Sequence, residues 1–372
     1  MSFEITSELL ANITSSIEVS NDKAIVALFE EMHYADIAEI LDELSFDNVV
    51  YIIKLLDSEK TSAVLMELDE DIREKTLQNL SAKEIAEEVE ELDSDDAADI
   101  IGELSQERQE AVLSKIEDEE HVKEIEELLA YDEDSAGGLM AKELVKVNEN
   151  WTVLKCVREM RAQAEEVTRV HSIYVVDDND KLKGRLSLKD LLITSTKTAI
   201  SEVYIPKVDF VNVHDNLDEV SNKMRKYDLE AIPVIDNNGV LLGRITIDDV
   251  VDVIKEEADK DYQLAAGLTQ DVEADDSILQ LTKARLPWLF LGLLGGEGAF
   301  LIMVMFENTF DENAVLFFFT PLIAAMAGNV GVQSSAIIVQ GLANDDVKGS
   351  INSRLVKEML LAALNGVVLA LV

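Results

Sequence analysis

Apolar residues recur along the first 135 positions at helical spacing, overlaid by a longer twelve-residue beat. Leu44, Leu56, Leu68, Leu80, Leu92, Leu104 and Ile116 each close a segment, and Ser45, Asp57, Asp69, Ser81, Asp93 and Ser105 follow the first six. Ser and Asp are favoured N-caps because a short side-chain oxygen can accept one of the backbone N–H groups left orphaned at a helix start. Between caps, Ile37, Ile40, Leu41 and Leu44, or Ala97, Ile100, Ile101 and Leu104, share one helical face. The pattern predicts short capped helices, and a helix of about ten residues cannot bury its stripe alone. Residues 1–135 are therefore expected to stack into an all-α superhelical solenoid with solvated acidic faces. From about residue 137 short β-rich runs alternate with helices, and the region is duplicated. Tyr174-Val-Val-Asp177 with Gly184-Arg-Leu-Ser-Leu-Lys-Asp190 matches Pro233-Val-Ile-Asp236 with Gly243-Arg-Ile-Thr-Ile-Asp-Asp249 at a constant offset of 59, and Leu144–Val147 and Phe210–Val213 read as the opening strands. Further on, Leu286–Phe306 is a run of 21 residues with a single charge, Glu297, and Ala314–Val339 is uncharged. Either is long enough to cross about 30 Å of hydrocarbon. A third run begins near Met359 and reaches Val372 after 14 residues, too short to span.

Charge divides the chain the same way. The net charge is −43, and only seven of the 75 acids and four of the 32 bases lie from residue 284 onward. So acidic a soluble part repels phosphate backbones and concentrates cations, which argues against a nucleic-acid partner. Cys156 stands alone, so there is no disulfide framework, as suits a reducing cytosol. Met1–Leu10 lacks a basic stretch followed by an apolar one and does not read as a signal peptide. Lys283 and Arg285 precede the first apolar run, Lys348, Arg354 and Lys357 separate the second from the third, and Glu307–Asn313 holds no base. The positive-inside rule then puts the N-terminal domains in the cytoplasm.

Four groups of residues carry candidate chemistry. Asp95 and Asp99 are four apart on one helical face, where like charges repel unless a cation lies between them. The duplicated region resembles a tandem pair of CBS domains, in which Gly-x-x-Ser/Thr-x-x-Asp places a hydroxyl and a carboxylate against the ribose and phosphates of an adenine nucleotide; here Ser187, Lys189 and Asp190 would do so. Ser187 with Asp190, and Thr246 with Asp249, equally fit a capping box that merely starts a helix. Glu297, mid-span, would cost roughly 2.5–3.5 kcal/mol if ionised toward lipid, so it faces a pore, or is protonated or paired at a helix contact. Pro321 followed by Ala327-Gly-Asn-Val-Gly-Val-Gln-Ser-Ser335 reads as a polar interruption, expected either to line a cavity with Gly328, Asn329, Gly331 and Gln333 or to pack helices closely through small residues. His33, His121, His171 and His214 are scattered, and no nucleophile pairs with a base, so an enzyme is not expected.

The acidic solenoid, the CBS pair, an acidic connecting helix and a membrane segment opening Arg285-Leu-Pro-Trp288 resemble, in that order, the MgtE magnesium channels. Asp96-Ala-Ala-Asp99, Ala136-Gly-Gly-Leu-Met140 and Pro321 followed by Gly328-Asn329-Val-Gly331-Val-Gln333 carry the likeness. The resemblance implies a multidomain chain: solenoid 1–135, CBS domains 136–198 and 199–254, connecting helix and linker 255–283, and part of a polytopic α-helical membrane domain, 284–372. It implies a homodimer in the inner membrane whose cytosolic Mg²⁺ closes the pore, with Asp95, Asp99, Asp218, Asp228, Asp249, Asp252, Glu257 and Asp261 as sensor acids and ATP as a second ligand. Mg²⁺ is hard and keeps several waters, so carboxylates of separate elements can bridge through it. Departures from the family are Val332 where a second asparagine is usual, and Asn216 and Lys260 where acids are common. Family members have five membrane helices, so the membrane domain is expected to be cut short here. The alternative reading is a membrane-tethered adenine-nucleotide sensor that does not itself transport.

Overall fold

The computed structural model describes residues 5–164, 167, 169–270, 272, 277–343 and 351–371. The chain divides into two units, Met1–Val253 and Ile254–Val372. The first opens with α1 (Ser7–Glu18), α2 (Asp22–Phe29), α3 (Tyr34–Asp42), α4 (Phe46–Ile53), α5 (Ser58–Glu67), α6 (Glu70–Asn79), α7 (Ala82–Val89), α8 (Ser94–Gly102), α9 (Gln106–Leu113) and α10 (Glu119–Leu128). All six expected caps occupy N-cap positions, from Ser45 at α4 to Ser105 at α9. Asp57 accepts from Lys60 N at 3.0 Å, and Ser81 forms a full capping box with Glu84. Asp93 makes no side-chain cap bond, leaving its carboxylate for other partners. From α3 onward alternate helices pack on one another, α3 on α5, α5 on α7, α7 on α9, α4 on α6 and α8 on α10. That alternation is the solenoid, and Leu68, Leu80, Leu104 and Ile116 of the twelve-residue beat are buried in its core. Each such side chain contributes about 1.5–3 kcal/mol by leaving water.

Two copies of one α/β unit follow. The first is β1 (Val145–Asn148), α11 (Val153–Gln163), β2 (Ile173–Val176), β3 (Leu182–Leu186) and α12 (Leu188–Ile193); the second is β4 (Val211–Asn212), α13 (Leu217–Tyr227), β5 (Ala231–Ile235), β6 (Leu241–Thr246) and α14 (Ile247–Ala265). In each sheet the first strand runs parallel to the second and the second antiparallel to the third. The register shifts at Val175/Val176 and again at Val234/Ile235, so the duplication reaches the irregularities. The copies meet where Leu182 N donates to Gly239 O at 2.9 Å and Leu241 N to Asp180 O at 3.0 Å. The segment leading into each copy pairs with the other one: Ala141 exchanges backbone hydrogen bonds with Arg244, and Ile205 with Arg185. This crossing explains the glycine shared by both copies. A Cβ on Gly243 would lie 2.5 Å from the Ala141 carbonyl, and one on Gly184 would collide with the Ile205 carbonyl.

In the second unit the far end of α14 is followed by α15 (Ile278–Met305), α16 (Glu307–Glu312), α17 (Ala314–Phe317), α18 (Thr320–Ala343) and α19 (Ile351–Ala370). Among the described residues two helices are long and apolar enough to cross a membrane, Ile278–Met305 and Thr320–Ile338, with mean hydropathies of 1.8 and 1.3 and nothing of those windows buried. Three expectations are corrected. The second span begins at Thr320, with Ala314–Phe317 a separate short helix. Pro321 sits in the first turn of α18, where its missing N–H costs nothing, and Ala327–Ser335 stays helical throughout, so there is no interruption. The third run starts at Ile351 rather than near Met359, bringing Lys357 and Glu358 into its helix. Lys348 and Val372 lie outside the described residues, as does most of the linker at 271–276.

Candidate functional site

Carboxylates from three separate stretches converge beside the N-terminus of α8. Asp95 and Asp96 occupy its first turn and Asp93 caps it. Glu143, just before β1, is anchored to the same turn: Ser94 N donates to one of its oxygens at 3.0 Å and Ser94 Oγ to the other at 2.9 Å. Arg244 of β6, 6% exposed, donates through Nε to the Glu143 carbonyl and through Nη2 to Asp93 at 3.3 Å. Asp249, in the first turn of α14, accepts from Thr246 N at 3.0 Å and Thr246 Oγ1 at 2.6 Å. One oxygen from each of Asp93, Asp95 and Glu143 lies within 4.8 Å of the others.

The electrostatics are strained. Burial, then the charges of Asp96 and Asp249, push Asp95 well above the usual carboxylate range. Burial and Asp249 push Asp96 up to about 7. Asp249 is raised by burial in spite of its two Thr246 bonds. Arg244 pairs directly with Asp93, and its charge eases Asp249 as well. A half-buried, oxygen-only donor set with negative charge to spare fits a hard divalent ion such as Mg²⁺ and offers nothing to a soft one.

Within the first unit the sequence-derived sensor acids separate. Asp95 belongs to this cluster, whereas Asp99, exposed at the rim, is raised by partial desolvation and feels chiefly Arg73, Glu103 and Glu133. Arg73 in turn is held by Glu103, its Nε at 2.7 Å. Asp249 is a neighbour that Asp95 and Asp99 have in common, and Asp96 lies between them in the same way. Asp218 opens α13 and Asp228 caps its far end, roughly 15 Å apart along a helix, so one ion cannot join them within a protomer. Asp252 is exposed one turn beyond Asp249, and Glu257 and Asp261 lie four apart on the part of α14 in the second unit.

Ser187, Lys189 and Asp190 line a cavity of about 480 Å³ together with His171, Ser172 and Arg185. Ser187 caps α12 without a side-chain cap bond, whereas in the second copy Thr246 donates through both N and Oγ1 to the Asp249 carboxylate, which is half of a capping box. The helix-start role of the carboxylate is therefore visible in the second copy. Gly328, Asn329, Gly331 and Gln333 lie on α18 and Glu297 on α15. The polar link described between α18 and α19 is Ser334 Oγ to Glu358 at 2.9 Å, a pair sequence reasoning missed. Glu143 and Arg244 were missed as well. Glu143 has no periodic signal, and Arg244 repeats the exposed Arg185 of the first copy.

Residues 32–134 match the family described as MgtE intracellular N domain, 136–195 and 200–256 match CBS domains, and 320–372 match a divalent cation transporter family. The magnesium transporter MgtE of Thermus thermophilus is 37% identical over 219 residues, covering 58% of this chain and 49% of its own. That of Enterococcus faecalis is 35% identical over 244 residues, 65% of this chain and 54% of its own. This chain thus spans about half the length of these curated relatives. A crystal structure of the cytosolic domain of the Mg²⁺ channel MgtE in complex with ATP is similar at 33% identity and a TM-score of 0.61, covering 66% of this chain and 99% of that one. With its helical domain, its CBS pair and its transporter segment all matched in order, the chain belongs to the MgtE family of divalent cation transporters.

Proposed function

We propose that this chain is the cytosolic Mg²⁺ sensor and part of the membrane domain of a magnesium-gated divalent cation channel, acting as a homodimer in the inner membrane with residues 1–283 in the cytoplasm. The observation that carries the reading is the Asp93–Asp95–Asp96–Glu143–Asp249 cluster, assembled from the solenoid, the segment after it and the second CBS copy. Without a cation these acids repel. With one, α8 and the start of α14 are drawn together, so rising Mg²⁺ favours whichever arrangement binds it better, by no more than that difference in affinity. Limited proteolysis of the full chain in detergent tests it: millimolar Mg²⁺ should slow cleavage of the soluble unit in wild type and not in Asp96→Asn with Asp249→Asn. Equal protection in the variant sinks the gating role of this cluster. The apolar α15 and α18, with Asn329, Gln333 and Glu297 as pore candidates, support a bilayer partner.

A second ligand has its own observation, the cavity at Ser187, Lys189 and Asp190. We infer that it takes an adenine nucleotide such as ATP, the carboxylate toward ribose hydroxyls and the lysine toward phosphate. Calorimetric titration of ATP into the full chain should lose its heat in Asp190→Ala. A protein that binds nucleotide yet passes no ions would favour the tethered-sensor alternative.

A further inference from the structure

A second cluster shares Glu143 but differs in chemistry. His121 and Glu124 sit one turn apart on α10, and one ring nitrogen of His121, one oxygen of Glu124 and one of Glu143 lie within 4.8 Å of one another, all three residues half-buried. His121 Nε2 faces the Val89 carbonyl at 3.3 Å. A carbonyl only accepts, so Nε2 carries the proton and Nδ1 keeps a free lone pair. That backbone tether is the arrangement by which proteins fix the tautomer of a metal-ligating imidazole. Glu143 is held from behind by Ser94, and the nearby Lys142 is occupied by Glu127 at 2.9 Å.

We propose that His121, Glu124 and Glu143 form a binding site for a divalent transition ion such as Co²⁺, Mn²⁺ or Zn²⁺, distinct from the oxygen-only cluster beside it. One imidazole and two carboxylates suit borderline ions, and the nitrogen discriminates against Mg²⁺, which prefers oxygen and sheds water reluctantly. Three protein ligands leave positions for water, as expected of a site that loads and unloads. Because Glu143 belongs to both clusters, an ion held by His121 withdraws a carboxylate from the Asp93–Asp95 group and weakens Mg²⁺ binding there. Two of its three ligands, His121 and Glu124, lie outside the proposed Mg²⁺ gate, and the site does not need that gate to exist.

The test uses the full chain in detergent, purified without a histidine tag and stripped with chelator. Co²⁺ is titrated while its visible ligand-field bands are followed, and bound Mn²⁺ is probed by pulsed EPR for modulation from an imidazole nitrogen. Wild type should hold one Co²⁺ that a large excess of Mg²⁺ does not displace, with nitrogen modulation on Mn²⁺. His121→Ala and Glu124→Gln should each weaken that ion at least about tenfold, with circular dichroism unchanged. Wild-type Co²⁺ affinity in both variants, displacement of Co²⁺ by equimolar Mg²⁺, or no nitrogen modulation overturns the proposal. If His121→Ala fails to fold, Glu124→Gln, which keeps the side-chain shape, decides. Mg²⁺ protection from proteolysis should survive in Glu124→Gln, so failure of this site and failure of the gate read out separately.

Discussion

Raising the pH without Mg²⁺ should destabilise this protein through Asp96, and Mg²⁺ should undo the loss. The ordinary aspartate value is 3.8 and the folded one about 7. Between them the folded state binds more protons than the unfolded chain, so stability falls as pH rises and the loss is complete once pH passes the folded value. Going from pH 5.5 to 8, the portion from 5.5 to about 7 counts, and at about 1.36 kcal/mol per pH unit it amounts to roughly 2 kcal/mol. Proton sharing with Asp95 spreads this over the pair rather than removing it. In a unit of this size the loss corresponds to a melting temperature lower by about 4–8 °C. The assay is thermal unfolding of the full chain in detergent, followed by circular dichroism at both pH values, with and without saturating Mg²⁺. Mg²⁺ should restore the melting temperature at pH 8 and do little at pH 5.5, where it competes with protons. Asp96→Asn should shrink both the pH slope and the Mg²⁺ response, leaving the part carried by Asp95 and Asp249. A melting temperature that is flat or rising from pH 5.5 to 8 without Mg²⁺, or a Mg²⁺ effect equal at both, would refute the reasoning.

Other sites give independent checks. Glu88 on α7 has one carboxylate oxygen buried without a hydrogen-bond partner, and burial followed by the charge of Glu87 pushes it to about 8; Glu88→Gln should stabilise by about 1–2 kcal/mol at pH 8 and less at pH 5, regardless of Mg²⁺, in urea titrations. Arg244→Met leaves Asp93 without its guanidinium and the Glu143 carbonyl without its donor, so unfolding should come easier by about 2–4 kcal/mol, with part of the loss recovered in Mg²⁺. Gly243→Ala must push the Ala141 strand off β6 and should cost about 2 kcal/mol or more in the same titration. An unchanged midpoint would show that the crossing strand moves freely.

What sequence reveals here depends on how local the cause is. The solenoid was legible because each helix carries its own cap and its own stripe, and the six caps needed no knowledge of tertiary contacts. The CBS duplication was legible down to Gly184 and Gly243, although the reason for those glycines, a strand crossing from in front of the other copy, was not. The acid cluster was half legible. Asp95 and Asp249 were expected, but Glu143 sits beside Asp93 only because Arg244 and Ser94 bring it there. Nothing in Arg244 distinguishes it from the exposed Arg185 at the matching position of the first copy. In the membrane segment, polar residues and Pro321 suggested a break, whereas backbone geometry places proline where a helix tolerates it and leaves the small polar residues inside a regular helix.

The arrangement also decides which carboxylate would report the ion under the gating proposal. A ligand shifts an equilibrium only through contacts that differ between states. Asp93 is tied to Arg244 and Glu143 to Ser94, so both stay in place with or without an ion. The carboxylate of Asp249 is held within its own corner, by the backbone N–H and the hydroxyl of Thr246. It is therefore the member that can move relative to α8, and the start of α14 moves with it. Thr246→Val removes the hydroxyl donor while keeping the shape. A hydrogen bond to a charged acceptor contributes about 1.5–3 kcal/mol, and losing it disfavours the ionised Asp249 that binds the cation. The Mg²⁺ midpoint for thermal protection at pH 8 should then rise about tenfold or more, while Ser94→Ala, which loosens the fixed side, should lower the melting temperature with and without Mg²⁺ alike. An unchanged midpoint in Thr246→Val would mean that the ion is read by the fixed acids, and that α14 is not the element the cluster senses.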